Sequence, residues 1–141
     1  MTANERHFKR DAILSQKHRT WGYNVPAMDV DFLLCEFDNL VPVALIDYRH
    51  INGTVNTQSV GAKVMRQLGN MAGLPAFIVQ YRYASDDGTA WKEATLADDA
   101  FFWIIPLNDH AEQLFYSWGD DDWLDETAYK AWLHQIRGRA A

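Results

Sequence analysis

Cysteine is nearly missing from this chain: Cys35 is the only one in 141 residues. One thiol excludes an intrachain disulfide and fits a reducing cytoplasm, the expected location. Cys35 lies in an apolar run with no neighbour to lower its pKa, so it reads as a small hydrophobe and not as a nucleophile. Long apolar runs are missing too. No stretch approaches the ~18 residues of a membrane span, and the N-terminus lacks the apolar core of a signal peptide. No membrane contact is expected. Positive charge is in short supply, with 13 Lys/Arg against 19 Asp/Glu and a net charge of −6. That excludes a basic footprint spread over the whole domain. Motifs are absent as well. There is no Cys-x-x-Cys, His-Glu-x-x-His or His-Asn-His pattern and no glycine-rich phosphate loop before a lysine. The acidic run Gly119-Asp120-Asp121-Asp122 lacks the alternating ligands of an EF-hand loop.

What remains is an ordinary globular composition, 48% hydrophobic and 23% charged, long enough for one domain with a real core. The charge is uneven. Residues 1–70 hold eight Lys/Arg against seven Asp/Glu, and residues 71–141 hold five against twelve. Any contact with a polyanion therefore falls to the first half, where His7, Lys9, Arg10, Lys17, His18 and Arg19 cluster.

The pattern predicts a first helix over 3–18, opened by the capping-box spacing Thr2-Ala3-Asn4-Glu5. Two strands follow, Met28–Phe37 and Pro42–His50, joined by a polar turn at Asp38-Asn39. A second helix, capped by Asn56, Thr57 or Ser59, carries an apolar stripe of Val60, Val64, Leu68 and Met71 and stops at Gly73. Gly61 and Gly69 inside it imply a close neighbour. Ala76–Tyr83 is a strand, and a strand–helix–strand order makes it a parallel neighbour in a mixed sheet. Residues 91–96 suggest a short edge strand. Phe101–Ile105, apolar on both faces, is a central strand closed by Pro106. Asn108 caps a short helix through Leu114, and a last helix over 125–137 presents Tyr129, Trp132, Leu133 and Ile136 on one face.

The hairpin carries the chemistry. Asp29 and Asp31 are two apart and share one face of their strand, as do Asp47 and Arg49 on the next. Folding about residues 38–40 sets Asp31 roughly opposite Asp47. Like charges facing each other destabilise a strand pair unless a cation sits between them. A separation of more than about 8 Å would instead make them solvated strand ends, too far apart to share a metal.

This order of elements, with Asp-Val-Asp-Phe-Leu-Leu on one strand and Val-Ala-Leu-Ile-Asp-Tyr-Arg on the next, resembles the PD-(D/E)XK nuclease superfamily. The resemblance implies a restriction-endonuclease-like α/β fold with an αβββαβ core over about residues 3–83. Residues 84–141 would form a C-terminal helical extension of the same single domain. It implies a Mg²⁺ or Mn²⁺ held by Asp31, Asp47 and the Tyr48 carbonyl. Glu5, Asp29, Gln67 and Lys63 are its supporting candidates, Glu5 having its capping role as the alternative. Arg49 stands where the family carries a lysine. It keeps its charge and cannot act as a base, but it can neutralise a phosphorane-like transition state. His50 points to the other face by alternation. The expected activity is metal-dependent hydrolysis of DNA phosphodiesters, with specificity from DNA structure, a homodimer or a partner protein. The alternative is a nuclease-fold protein that no longer cuts and instead binds nucleic acid or a protein. Of the six tryptophans only Trp21, near the expected site, is a candidate for stacking on a base; the others are expected mostly in core or helix packing.

Overall fold

The computed structural model describes residues 12–20, 28, 30–84, 95–96, 98–118 and 123–140. The elements run α1 (Ala12–Thr20), β1 (Phe32–Glu36), β2 (Val41–His50), α2 (Val60–Ala72), β3 (Ala76–Tyr83), β4 (Ala100–Pro106), α3 (Asp109–Trp118), β5 (Leu124–Asp125) and α4 (Glu126–Ala140). The five strands form one mixed sheet in the order β1-β2-β3-β4-β5. Neighbours pair antiparallel except β2 and β3, which run parallel across the α2 crossover, as the strand–helix–strand pattern predicts.

The hairpin turns at residues 37–40. The register pairs Phe32 with Ile46 and Leu34 with Ala44, then jumps so that Cys35 faces Pro42. Val43 is thus an extra residue, a bulge beside a proline that has no N–H to give the ladder. Glu36 locks the turn. Its Oε1 accepts from the Asp38 N–H at 2.7 Å, and its Oε2 accepts from the Asn39 N–H at 2.9 Å. Arg137 on α4 approaches Glu36 at 3.6 Å and Asp38 at 3.5 Å, which ties hairpin to helix. The Asn39 and Asp38 amides and Arg137 hold the Glu36 carboxyl below its ordinary pKa against the effect of burial. Leu40 closes the turn at φ 58°, the left-handed region that a branched side chain seldom enters.

Alternation divides the core into two halves. On one face Ala44, Ile46, Phe77, Val79 and Ile104 meet Ala111 of α3 and Tyr129, Trp132 and Ile136 of α4. On the other, Leu45, Ala76, Ile78 and Leu107 meet Ala62 and Met65 of α2. Residues 100–140, expected as an extension, therefore supply an inner strand and a core helix. Of the αβββαβ core expected from the resemblance, two strands precede the crossover helix among the described residues. The coarser expectation holds: an α/β domain with a mixed sheet between helices.

α2 begins where Ser59 Oγ accepts from the Ala62 N–H at 3.2 Å and ends at Gly73, φ 69°. Its buried face corrects the sequence reading. Val60 and Met71 are 79% and 78% exposed, and Val64 and Leu68 are exposed as well. The face against the sheet is Ala62, Met65 and Gly69. The reason is proximity. A Cβ at Gly69 would stand 2.7 Å from Asn108 Nδ2 and 2.8 Å from the Leu74 carbonyl oxygen, so only small residues let the helix come this close. Buried Asn108 fixes that contact: its Oδ1 accepts from the Ala76 and Ala111 N–H groups at 3.2 and 2.9 Å, and its Nδ2 donates to Leu74 O at 2.8 Å.

The expected edge strand is not formed at Thr95 and Leu96; Thr95 enters a turn held by Asp98, and residues 91–94 lie outside the described residues. The two-residue β5 was not foreseen. Residues 119–122 and the first part of the predicted helix over 3–18 also lie outside the described residues.

Candidate metal centre

Asp31 lies one residue before β1, and the hairpin register, continued past Phe32 and Ile46, sets it opposite Asp47. Residues so paired lie about 5 Å apart at Cα, and Asp31 acts on the Asp47 carboxyl across that gap. Asp31 is exposed at the end of its strand, whereas Asp47 is largely buried. Asp47 has the parity of Leu45 and shares the α2 face of the sheet, beyond the part of that face that Ala62 and Met65 cover. Arg49 lies on the same face, and its Nε donates to Asp47 Oδ2 at 3.0 Å. The Asp47 side chain is 16% exposed and that of Arg49 51%.

These contacts set the electrostatics. Burial pushes the Asp47 carboxyl up to about 6, and the hydrogen bond and negative charge of Asp31 add to it. The Arg49 guanidinium opposes the rise without cancelling it. A carboxyl raised by a second carboxyl is a group short of positive charge. Two hard oxygen donors facing each other across the ladder suit Mg²⁺ or Mn²⁺, which take one or two carboxylates and keep several waters. Among the described residues no three His, Cys, Asp or Glu side chains gather as a ready-made cage. The donor set fits a partly hydrated cation.

The other candidates divide. The Tyr48 side chain leaves by the opposite face, where its hydroxyl lies 2.7 Å from that of Tyr129 and its ring packs edge-on against Phe32 at 4.8 Å. Only its backbone remains on offer to the site. His50 is buried on that same far face against Tyr81, and its Nδ1 accepts from the Asn52 N–H at 3.1 Å, as alternation implied. Lys63 and Gln67 are exposed on α2, off the Ala62–Met65–Gly69 face that meets the sheet. Glu5, Asp29 and Trp21 lie outside the described residues. Cys35 is half-buried, and its thiol donates to Leu33 O at 3.3 Å.

Sequence reasoning missed the far side of this face. The parallel register sets Gln80 beside Arg49, and the next ladder sets Trp103 beside Gln80. Gln80 was detectable as the first polar residue in the strand Ala76–Tyr83. Its neighbour was not, because register between strands so far apart in sequence is fixed only by the folded sheet. A separate recess of about 470 Å³, lined by Arg66, Asn70, Asp109 and Glu112 among others, contains none of the expected metal-site residues.

Comparison with known proteins finds no matching family model, no matching curated protein and no matching solved structure. Fold and site together define an α/β domain with paired carboxylates and an arginine at one end of a mixed sheet.

Proposed function

We propose that this protein is a Mg²⁺- or Mn²⁺-dependent nuclease acting on DNA phosphodiesters. The observation that carries the reading is the hairpin register that sets Asp31 opposite Asp47, with Arg49 bonded to Asp47 on the same sheet face. Asp31 and Asp47 would hold the metal, with the Tyr48 carbonyl as a further ligand. A metal held there would polarise the substrate's phosphoryl group and lower the pKa of a bound water that attacks it. Asp47 must then be ionised, and a nearby cation favours that form. Arg49, half-exposed and permanently charged, neutralises the charge that builds on the phosphoryl oxygens during displacement. It does not take the proton from the attacking water, so that proton leaves to solvent or to the phosphate itself. A restriction-endonuclease-like assignment of the sheet belongs to this proposal.

Purified protein is incubated with labelled single- and double-stranded DNA in Mg²⁺ or Mn²⁺, beside Asp47→Ala. Metal-dependent cleavage that the variant loses supports the reading, and equal cleavage by both sinks it.

One observation favours a second reading, a protein of this fold that binds without cutting. Arg49 Nε donates to Asp47 Oδ2 at 3.0 Å, so the carboxylate has a cationic partner within the protein itself. Calorimetry with Mn²⁺ near neutral pH separates the two, because heat from binding at one site belongs only to the first.

A further inference from the structure

The α2 face of the sheet continues past the carboxylates as a shelf of partly exposed side chains among the described residues. Arg49 on β2, Gln80 on β3 and Trp103 on β4 are consecutive register partners, so they form one row across three strands. Phe102 pairs with Leu124, which puts Trp123 next in that row, and the Trp103 and Trp123 rings meet edge-to-face with centroids 5.4 Å apart. Two residues along β3, on the same face, the Arg82 guanidinium lies 4.4 Å from the Phe101 ring and 5.1 Å from the Trp123 ring. Trp103 is 37% exposed, although Trp123 braces it from one side.

We propose that this shelf binds a single-stranded stretch of nucleic acid, with a phosphate at Arg49 and an unpaired base stacked on Trp103. The inference rests on the nuclease reading only in supplying a phosphodiester beside Asp31 and Asp47.

Spacing supports it first. Neighbouring strands lie about 4.8 Å apart, so Arg49 and Trp103 are separated by roughly 10 Å of backbone, the span between a phosphate and a nearby base. Ring chemistry supports it next. An indole that keeps a third of its surface in water yet is held in place by a second indole offers a rigid π-face, the surface on which unpaired bases stack without regard to sequence. In a duplex, neighbouring base pairs cover both faces of each base, so such a shelf selects strands already unstacked. Charge is the third support. Arg49 gives one bond, from Nε, to Asp47 and leaves its guanidinium half-exposed, and Arg82 adds a second permanent positive charge two residues along β3.

The test titrates wild type and Asp47→Asn, in EDTA, with a fluorescein-labelled single-stranded oligonucleotide and with its blunt duplex. Anisotropy gives affinity, and tryptophan emission reports stacking. Trp103→Ala and Trp103→Phe are titrated in parallel, with circular dichroism confirming their fold. Single strand should bind tighter than duplex and quench tryptophan emission. Trp103→Ala should weaken it by roughly tenfold, as loss of one stacked base implies, and Trp103→Phe should restore most of the affinity. Equal binding of single strand by wild type and Trp103→Ala overturns the proposal, as does duplex preference or no oligonucleotide binding at all. Cleavage is scored separately. If Asp47→Asn cuts like wild type, the nuclease reading fails while the shelf is judged on binding alone.

Discussion

Asp47 carries an internal conflict that pH and metal should expose. Its carboxyl is raised from 3.8 to about 6 by burial and by Asp31. A folded-state pKa above the unfolded one means that the folded protein holds the proton more tightly. The associated stability is complete below about pH 4 and is lost as pH rises through about 6. With an allowance for solvent screening, the loss is on the order of 1–2 kcal/mol. Asp47→Asn should therefore be the more stable protein at pH 7.5 by about that amount and should lack this component of the pH dependence. Urea unfolding at pH 4.5 and 7.5 measures both, and adding Mn²⁺ at pH 7.5 should stabilise wild type alone. Leu40 presents a smaller strain of the same local kind. Its left-handed backbone suits glycine, so Leu40→Gly should gain about 0.5 kcal/mol once glycine's extra chain entropy is subtracted.

At the scale of elements, α2 shows what pattern reading sees and what it misses. Its cap was narrowed to Asn56, Thr57 or Ser59 and proves to be Ser59. Its existence, its stop at Gly73 and the crossover to a parallel strand were legible, because each is encoded within a few residues. Its orientation was not. Hydrophobic spacing selects Val60, Val64, Leu68 and Met71, whereas the sheet selects Ala62, Met65 and Gly69 through a separation that no local signal records. The same holds at the site. Asp31 and Asp47 were legible through hairpin alternation, and Trp103 was not, because its place depends on two long-range ladders. The assignment of faces is checkable by denaturation. Gly69→Ala should cost about 1–3 kcal/mol despite alanine's better helix propensity, because the methyl group meets Asn108 and Leu74. Met65→Ala should cost about 2–5 kcal/mol, and Val64→Ser or Leu68→Gln should change stability by no more than about 0.5 kcal/mol.

For the whole molecule, the two-sided core makes the second half of the chain indispensable. Ile104, Ala111, Tyr129, Trp132 and Ile136 complete the face that Ala44, Ile46, Phe77 and Val79 begin. A fragment of residues 1–99 should therefore show no cooperative thermal transition, whereas an appended extension would have left one behind; calorimetry decides. No helix among the described residues is long and apolar enough to cross a membrane. The phenol pair that joins the two halves, Tyr48 and Tyr129, has an optical consequence. Burial raises both ionisations above the ordinary tyrosine value. The folded chain then keeps these two protons in alkali where the open chain would release them, so stability falls as pH climbs past about 10. Phenolate absorbance from these two rings should consequently appear together with loss of fold, which makes an alkaline ultraviolet titration a built-in gauge of when strand β2 and helix α4 part.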